Sequence, residues 1–457
     1  MPEPPPPSPP TPPWWRAIRW GRLLRIGYAV VAVLATVTLV LSNIRLYTVD
    51  TSAYGDPRRV PPDAVSQLDW LRSRLDGGAA TEAVRATPAG YVLLYALYGA
   101  SWVQVGERET GRLRARAARE VGWALAQLDS PLGRAPFEGR MDPTLGVFYL
   151  GWSAWLRGGL LRLRPAPDPA EARRFDADCA TLAAAFARSP SPYLPSLPDQ
   201  VWPADSVVAM AALRLHDRVR GQSRYAGLAR RWVTSVERHL DVATGLLPHR
   251  TDTAGAALEP PRGSSQVVVQ RFLPEIDPVF ARRQYSRFRD TFVRLVAGVP
   301  AVREYPKGTR GHGDADSGPM LFGATLTGTM AAIGPALEHR DRDLADATLA
   351  AVEGAAMPLT FGDSKRYALG LRPLADAWLV WGKTALPLPD RRPDHPGHFP
   401  RLVPFWWRVP WHLLSLLALM VVLFPAYWGL RRWRQARYAG EAGGEDFDDY
   451  GEEDDEE

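Results

Sequence analysis

Two uncharged apolar runs near the ends of the chain constrain its architecture more than anything between them. Ile26 to Ile44 reads IGYAVVAVLATVTLVLSNI, and Val409 to Leu430 reads VPWHLLSLLALMVVLFPAYWGL, 19 and 22 residues respectively. A hydrocarbon layer about 30 Å thick is crossed by about 20 apolar residues in a helix, and lipid offers no partner to an open backbone. Both runs are therefore expected to be transmembrane helices, over 26–44 and 409–430.

Flanking charge suggests an orientation. Arg16, Arg19, Arg22 and Arg25 precede the first run, and Arg431, Arg432, Arg434 and Arg437 follow the second. The positive-inside rule puts both ends in the cytoplasm and residues 45–408 outside it. Trp14, Trp15, Trp20, Trp406, Trp407, Trp411 and Trp428 stand near the run ends, where an aromatic belt forms. A cleaved signal peptide competes for the first run, but the proline-rich lead and the lack of a small-x-small site favour an anchor. Residues 1–25 read as a proline-rich cytoplasmic tail, and 431–457 as a basic then acidic one.

The net charge of +5 joins opposed parts. Residues 441–457 hold eleven acids and no base, so 55 bases against 39 acids leave residues 1–440 at +16. No basic aromatic platform or zinc-finger spacing accompanies that charge, which argues against nucleic acid. Cys179 is the single cysteine, which rules out an intramolecular disulfide and a cysteine-based zinc site. With no charge inside either run, a transport pathway is not expected.

Between the runs, helical periodicity recurs and strand alternation is scarce. Helices are expected over 62–75, 88–105, 108–128, 142–163, 168–188, 203–219, 223–241, 264–273, 278–297, 319–338, 341–356 and 371–385. Breakers such as DGG at 76–78, PAPDP at 165–169 and SPSPYLPSLP at 189–198 separate them. Twelve helices in pairs predict an all-α fold, an (α/α)6 toroid of helical hairpins flanked by the two transmembrane helices.

Four segments place polar groups just before a helical pattern. In EGRMDPTLGVFYLGWSAW, Arg140 and Asp142 precede Tyr149, Trp152 and Trp155, which serve equally as core. In SLPDQVWPADS, Asp199 and Asp205 bracket Trp202, and Asp205 reads either as an N-cap or as a site acid. EYPKGTRGHGDADSGP gathers Glu304, Tyr305, Lys307, Arg310, His312, Asp314 and Asp316 among four glycines; Asp316 or Ser317 would cap a helix starting near Pro319. PPRGSSQ adds Arg262 and Gln266, and Arg262 can clamp an anion or pair with an acid. The Asp-x-Asp pair lacks the further carboxylates of a calcium loop, and His395 and His398 read as linker, so neither metal nor cofactor is expected.

YLGW at 149–152 resembles the Tyr-x-Gly-His of the linalool dehydratase/isomerase family, whose catalytic domain is an (α/α)6 toroid. SLPDQVWPADS at 196–206 is similar to its Cys-Glu-Pro-Asp stretch, which an aromatic and a Cys-Asn follow. The resemblance puts the family's catalytic His at Trp152, its first Cys at Ser196 and its second at Asp205. It therefore implies the fold while removing the residues of the family's own chemistry.

Together these features lead to an expected membrane-anchored enzyme using general acid–base chemistry on a glycan, lipid or isoprenoid. Asp205 is the expected acid or base, with Asp314 or Asp316 as partner. The alternative is a non-catalytic toroid that binds a ligand or partner in a cell-envelope assembly.

Overall fold

The computed structural model describes residues 20–85, 87–166, 168–314, 317–387 and 399–442. Asp316, His395, His398 and most of both tails lie outside the described residues. The chain divides into two units, Met1–Ile44 with Val409–Glu457, and Arg45–Arg408.

The first unit is built on α1 (Trp20–Thr48) and, at the far end of the chain, the helix Val409–Ala442. The two run antiparallel: Trp411 Nε1 donates to Ser42 Oγ at 3.1 Å, and Tyr28 Oη to the Val422 carbonyl at 2.5 Å. Both are long and apolar enough to cross a membrane. Leu24, Val31, Leu34, Leu417 and Val421 project outward uncovered.

The second unit is mostly helical: α2 (Ala64–Asp76), α3 (Ala79–Ala83), α4 (Gly90–Arg108), α5 (Gly111–Leu128), α6 (Pro131–Arg134), α7 (Gly146–Leu163), α8 (Pro169–Arg188), α9 (Pro203–Arg220) and α10 (Ala226–Arg238). A hairpin of β1 (Arg250–Thr251) and β2 (Ala257–Glu259) leads to α11 (Gly263–Ile276) and α12 (Pro278–Phe292). Next come β3 (Val293–Val296), β4 (Val299–Arg303), β5 (Met320–Leu321) and β6 (Ala324–Thr325), then α13 (Leu326–Ala331), α14 (Ile333–Glu338) and α15 (Arg342–Ala355). A last hairpin, β7 (Leu359–Phe361) with β8 (Ser364–Arg366), precedes α16 (Pro373–Lys383), and Val409–Ala442 is α17.

Burial sorts the helices into two kinds. Helices α4, α7, α9, α11 and α16 are buried on nearly every side. By contrast α5 buries Ala117, Ala118, Val121, Ala124, Leu125 and Leu128, a single stripe, and leaves Arg112 and Arg119 exposed on its other face. Each amphipathic helix covers a buried one: α5 lies on α4, α8 on α7, α12 on α11 and α2 on α16. Small residues let the buried helices approach, as at Gly151, where an added Cβ would stand 3.0 Å from the Ala209 nitrogen of α9.

In two places strand replaces part of an expected helix. The pattern over 278–297 ends at Phe292, and 293–303 turns back as a hairpin registered Val293 to Val302. The β-branched residues of VRLVAGVPAV favour strand, and Ala297 and Gly298 both take positive φ, the two-residue turn that matches strand twist. The helix expected from 319 begins at Leu326, capped by Thr325 Oγ1, which accepts from the Gly328 amide at 3.1 Å. Pro319 precedes β5, so Ser317 caps no helix there. The four strands form an antiparallel sheet in the order β3-β4-β6-β5.

Candidate functional site

Asp205 is the third residue of α9, and its position follows from the residues before it. Pro203 supplies the fixed φ of a first helical residue, and Trp202 stands at the cap. Asp205 is therefore inside the first turn and not the N-cap, one of the two roles its sequence position allowed, with its amide donating to the Trp202 carbonyl at 3.0 Å. The preceding loop is held by Ser196, whose amide donates to the Gln200 carbonyl at 2.8 Å and whose Oγ accepts from the Trp202 amide at 3.2 Å. Asp199 is the exposed turn residue of that loop, at φ +59, a conformation aspartate tolerates.

A cavity of about 100 Å³ opens beside Asp205. One water needs about 10–15 Å³ of such space, so the cavity suits a ligand of several heavy atoms. Its walls come from the first two turns of six helices: Leu93 of α4, Phe148 and Trp152 of α7, Asp205 of α9, Val268 of α11, Thr327 of α13 and Trp378 of α16. Trp202 and Gln200 close one side, and Trp152 stacks edge-on with Phe272 and Trp381 beneath.

His249 also lines the cavity, and sequence reasoning missed it. The β1–β2 hairpin holds it: its amide donates to the Glu259 carbonyl at 3.2 Å, and Thr251 donates to Val201 at 3.1 Å, tying the hairpin to the Trp202 loop. The imidazole is 5 % exposed and packs 5.2 Å from the Trp202 ring, with Nδ1 buried and bonded to nothing among the described residues. Burial, helped by the charge of Arg262, lowers its pKa to about 4, so the ring is neutral at neutral pH. A neutral imidazole can accept a proton or hydrogen-bond a ligand through the open nitrogen.

Behind this wall the acids are engaged in structure. Glu304 is fully buried, and its carboxylate accepts from Ser264 Oγ at 2.8 Å and the Ser264 amide at 3.2 Å, serving as a cap for α11 from a distant segment. Burial outweighs those bonds and pushes its pKa up to about 7. Arg262 pairs with Asp314 and, at 2.7 Å, with Glu259, while its guanidinium lies 5.2 Å from the Tyr305 ring centre. Burial would raise the Asp314 carboxyl, but the Ser317 amide and Arg262 hold it below the usual range. Asp314 thus anchors Arg262 and does not line the cavity; Asp205 shares the wall with His249 instead.

The other expected site residues part company here. Trp152, Trp202 and Asp205 meet at the cavity, whereas Arg140, Asp142, Tyr149, Ser196, Asp199 and Gln266 do not line it. Asp142 is exposed and pairs with Arg188 at 2.8 Å, and Tyr149 donates to Asp129 at 2.9 Å. Gln266 is fully buried and donates to the Leu247 carbonyl at 2.7 Å. Tyr305, Arg310 and His312 line a different hollow against the sheet. No known family matches this chain, and no curated protein matches its sequence.

Proposed function

We propose that this chain is a membrane-anchored enzyme that transfers protons at the Asp205–His249 cavity, acting on a small neutral molecule such as a sugar ring or an isoprenoid. One observation carries the reading: a buried acid on a helix start and a buried neutral imidazole with an open nitrogen share one apolar, aromatic-walled cavity. Ionised Asp205 would take a proton from the substrate, and His249 would hold the hydroxyl or oxygen at which charge develops. Trp152, Trp202 and Trp378 offer flat faces to a ring or an unsaturated chain. Proton abstraction, elimination, hydration and hydrolysis are all within reach of such a pair.

The catalytic domain is read as an (α/α)6 toroid of the linalool dehydratase/isomerase kind. In support, α4 packs on α7, α7 on α9, α9 on α11, α11 on α13, α13 on α16 and α16 on α4. The arginine clusters beside both apolar helices support two cytoplasmic ends, with Arg45–Arg408 outside. Binding without turnover is the second reading, favoured by the commitment of Glu304 and Arg262 to structural bonds.

The test uses the full chain in nanodiscs, incubated with lipid and glycan extracts and followed by untargeted mass spectrometry. The wild type is expected to consume at least one species that Asp205→Asn leaves untouched, both proteins melting alike. Identical profiles, with the species bound but unchanged, would favour the binding reading.

A further inference from the structure

A second hollow, of about 1050 Å³, lies where the 305–312 loop faces the four-stranded sheet, and the acid–base reading makes no use of it. Arg294 of β3, Arg303 of β4, and Lys307 and Arg310 of the loop all line it, and no carboxylate does among the described residues. Several other cations of this protein meet acids, Arg157 at 2.7 Å from Asp129 and Lys383 at 2.5 Å from Asp63. These four form no ion pair among the described residues. Burial and then the charge of Arg303 hold the Arg294 guanidinium below its ordinary pKa, as expected of neighbouring cations left uncompensated.

The loop is shaped rather than loose. Tyr305 Oη donates to the His312 carbonyl at 2.9 Å, and its ring presses on Gly311, where an added Cβ would stand 2.2 Å from Cζ. Beside the hollow, the β5–β6 turn presents Leu321 and Phe322, 67 % and 77 % exposed. Phe322 lines the hollow and takes φ +50, in a turn whose usual occupants are Asn, Asp and Gly. Leu321 and Phe322 thus leave apolar surface uncovered beside the hollow.

We propose that this hollow receives the phosphate group of an amphiphile, whose apolar part lies over Leu321 and Phe322. Guanidinium forks match phosphate oxygens bidentately, the ammonium of Lys307 adds a point charge, and among the described residues no acid in the lining opposes the anion. The inference stands independently of proton transfer at Asp205.

Native mass spectrometry of the full chain from neutral detergent micelles tests it, titrating dioctanoyl phosphatidic acid, inorganic phosphate and dioctanoylglycerol in parallel. The phosphatidic acid is expected to bind about tenfold or more tighter than either half alone, and Arg303→Gln/Lys307→Ala/Arg310→Ala to lose about tenfold or more. Phe322→Ser should weaken the lipid and leave inorganic phosphate unchanged. Lys307→Ala/Arg310→Ala, in two exposed side chains, keeps the test available should the triple variant not fold. Equal binding by dioctanoylglycerol, or no loss in the charge variants, would overturn the proposal. Equal binding by inorganic phosphate would assign the hollow to a soluble anion and overturn the amphiphile.

Discussion

Burying Glu304 beneath the first turn of α11 couples the wall of the cavity to pH. Its pKa is raised from 4.5 to about 7, so the folded chain keeps a proton that the unfolded chain releases between those values. Stability from this group is full below pH 4.5 and falls as pH rises to 7, by up to about 3 kcal/mol. Glu304→Gln should therefore gain on the wild type across that window, read as the difference in urea midpoints. His249 works in the opposite sense: lowered from 6.5 to about 4, it costs stability as pH falls between them. His249→Gln should gain on the wild type over that acid range in the same titration. Asp205, Trp152 and Trp202 were legible because a charged or aromatic residue at the start of an apolar helix stands out from its pattern. His249 was not, since LLPHRTD has no period and its partner Glu259 acts through a hairpin of two- and three-residue strands. The two glycines flanking it, Gly245 and Gly255, both at positive φ, were the available signal.

Helix α11 meets β4 at a point that tolerates no side chain. Gly263 opens the helix, its amide donates to the Glu304 carbonyl at 2.9 Å, and an added Cβ would stand 1.9 Å from the Arg303 carbonyl oxygen. Gly263→Ala must push helix and strand apart, at a cost of about 1–3 kcal/mol. Denaturant midpoints should show it, and the Ser264 and Ser265 wall should shift with the helix. A variant as stable as the wild type would mean that the strand moves freely. Long helices were readable because each has either a stripe or a continuous run of apolar residues. The sheet escaped because a four- or five-residue strand of valines offers too few positions to separate a period of two from one of 3.6.

The unit Arg45–Arg408 is joined between its first and last long helices by a buried ionic cluster. Lys383, fully buried at the end of α16, donates to Asp63 before α2 at 2.5 Å and to Glu353 of α15 at 2.8 Å. Lys365 reaches the same two acids, at 2.7 and 3.0 Å, so two of the three lysines in the chain serve this seam. Lys383→Met would leave Asp63 and Glu353 to Lys365 alone, and a loss of about 1.5–3 kcal/mol is expected from the unfolding midpoint. Whole-chain organisation was visible in the sequence as two apolar ends around paired helices, but the meeting of distant lysines and acids carries no local pattern. The decisive measurement is the single-turnover rate of wild type and Asp205→Asn on a species that the wild type consumes, with binding measured beside it. An acid–base site predicts a fall of about 100-fold or more with affinity nearly unchanged. Equal rates in the two proteins would contradict it.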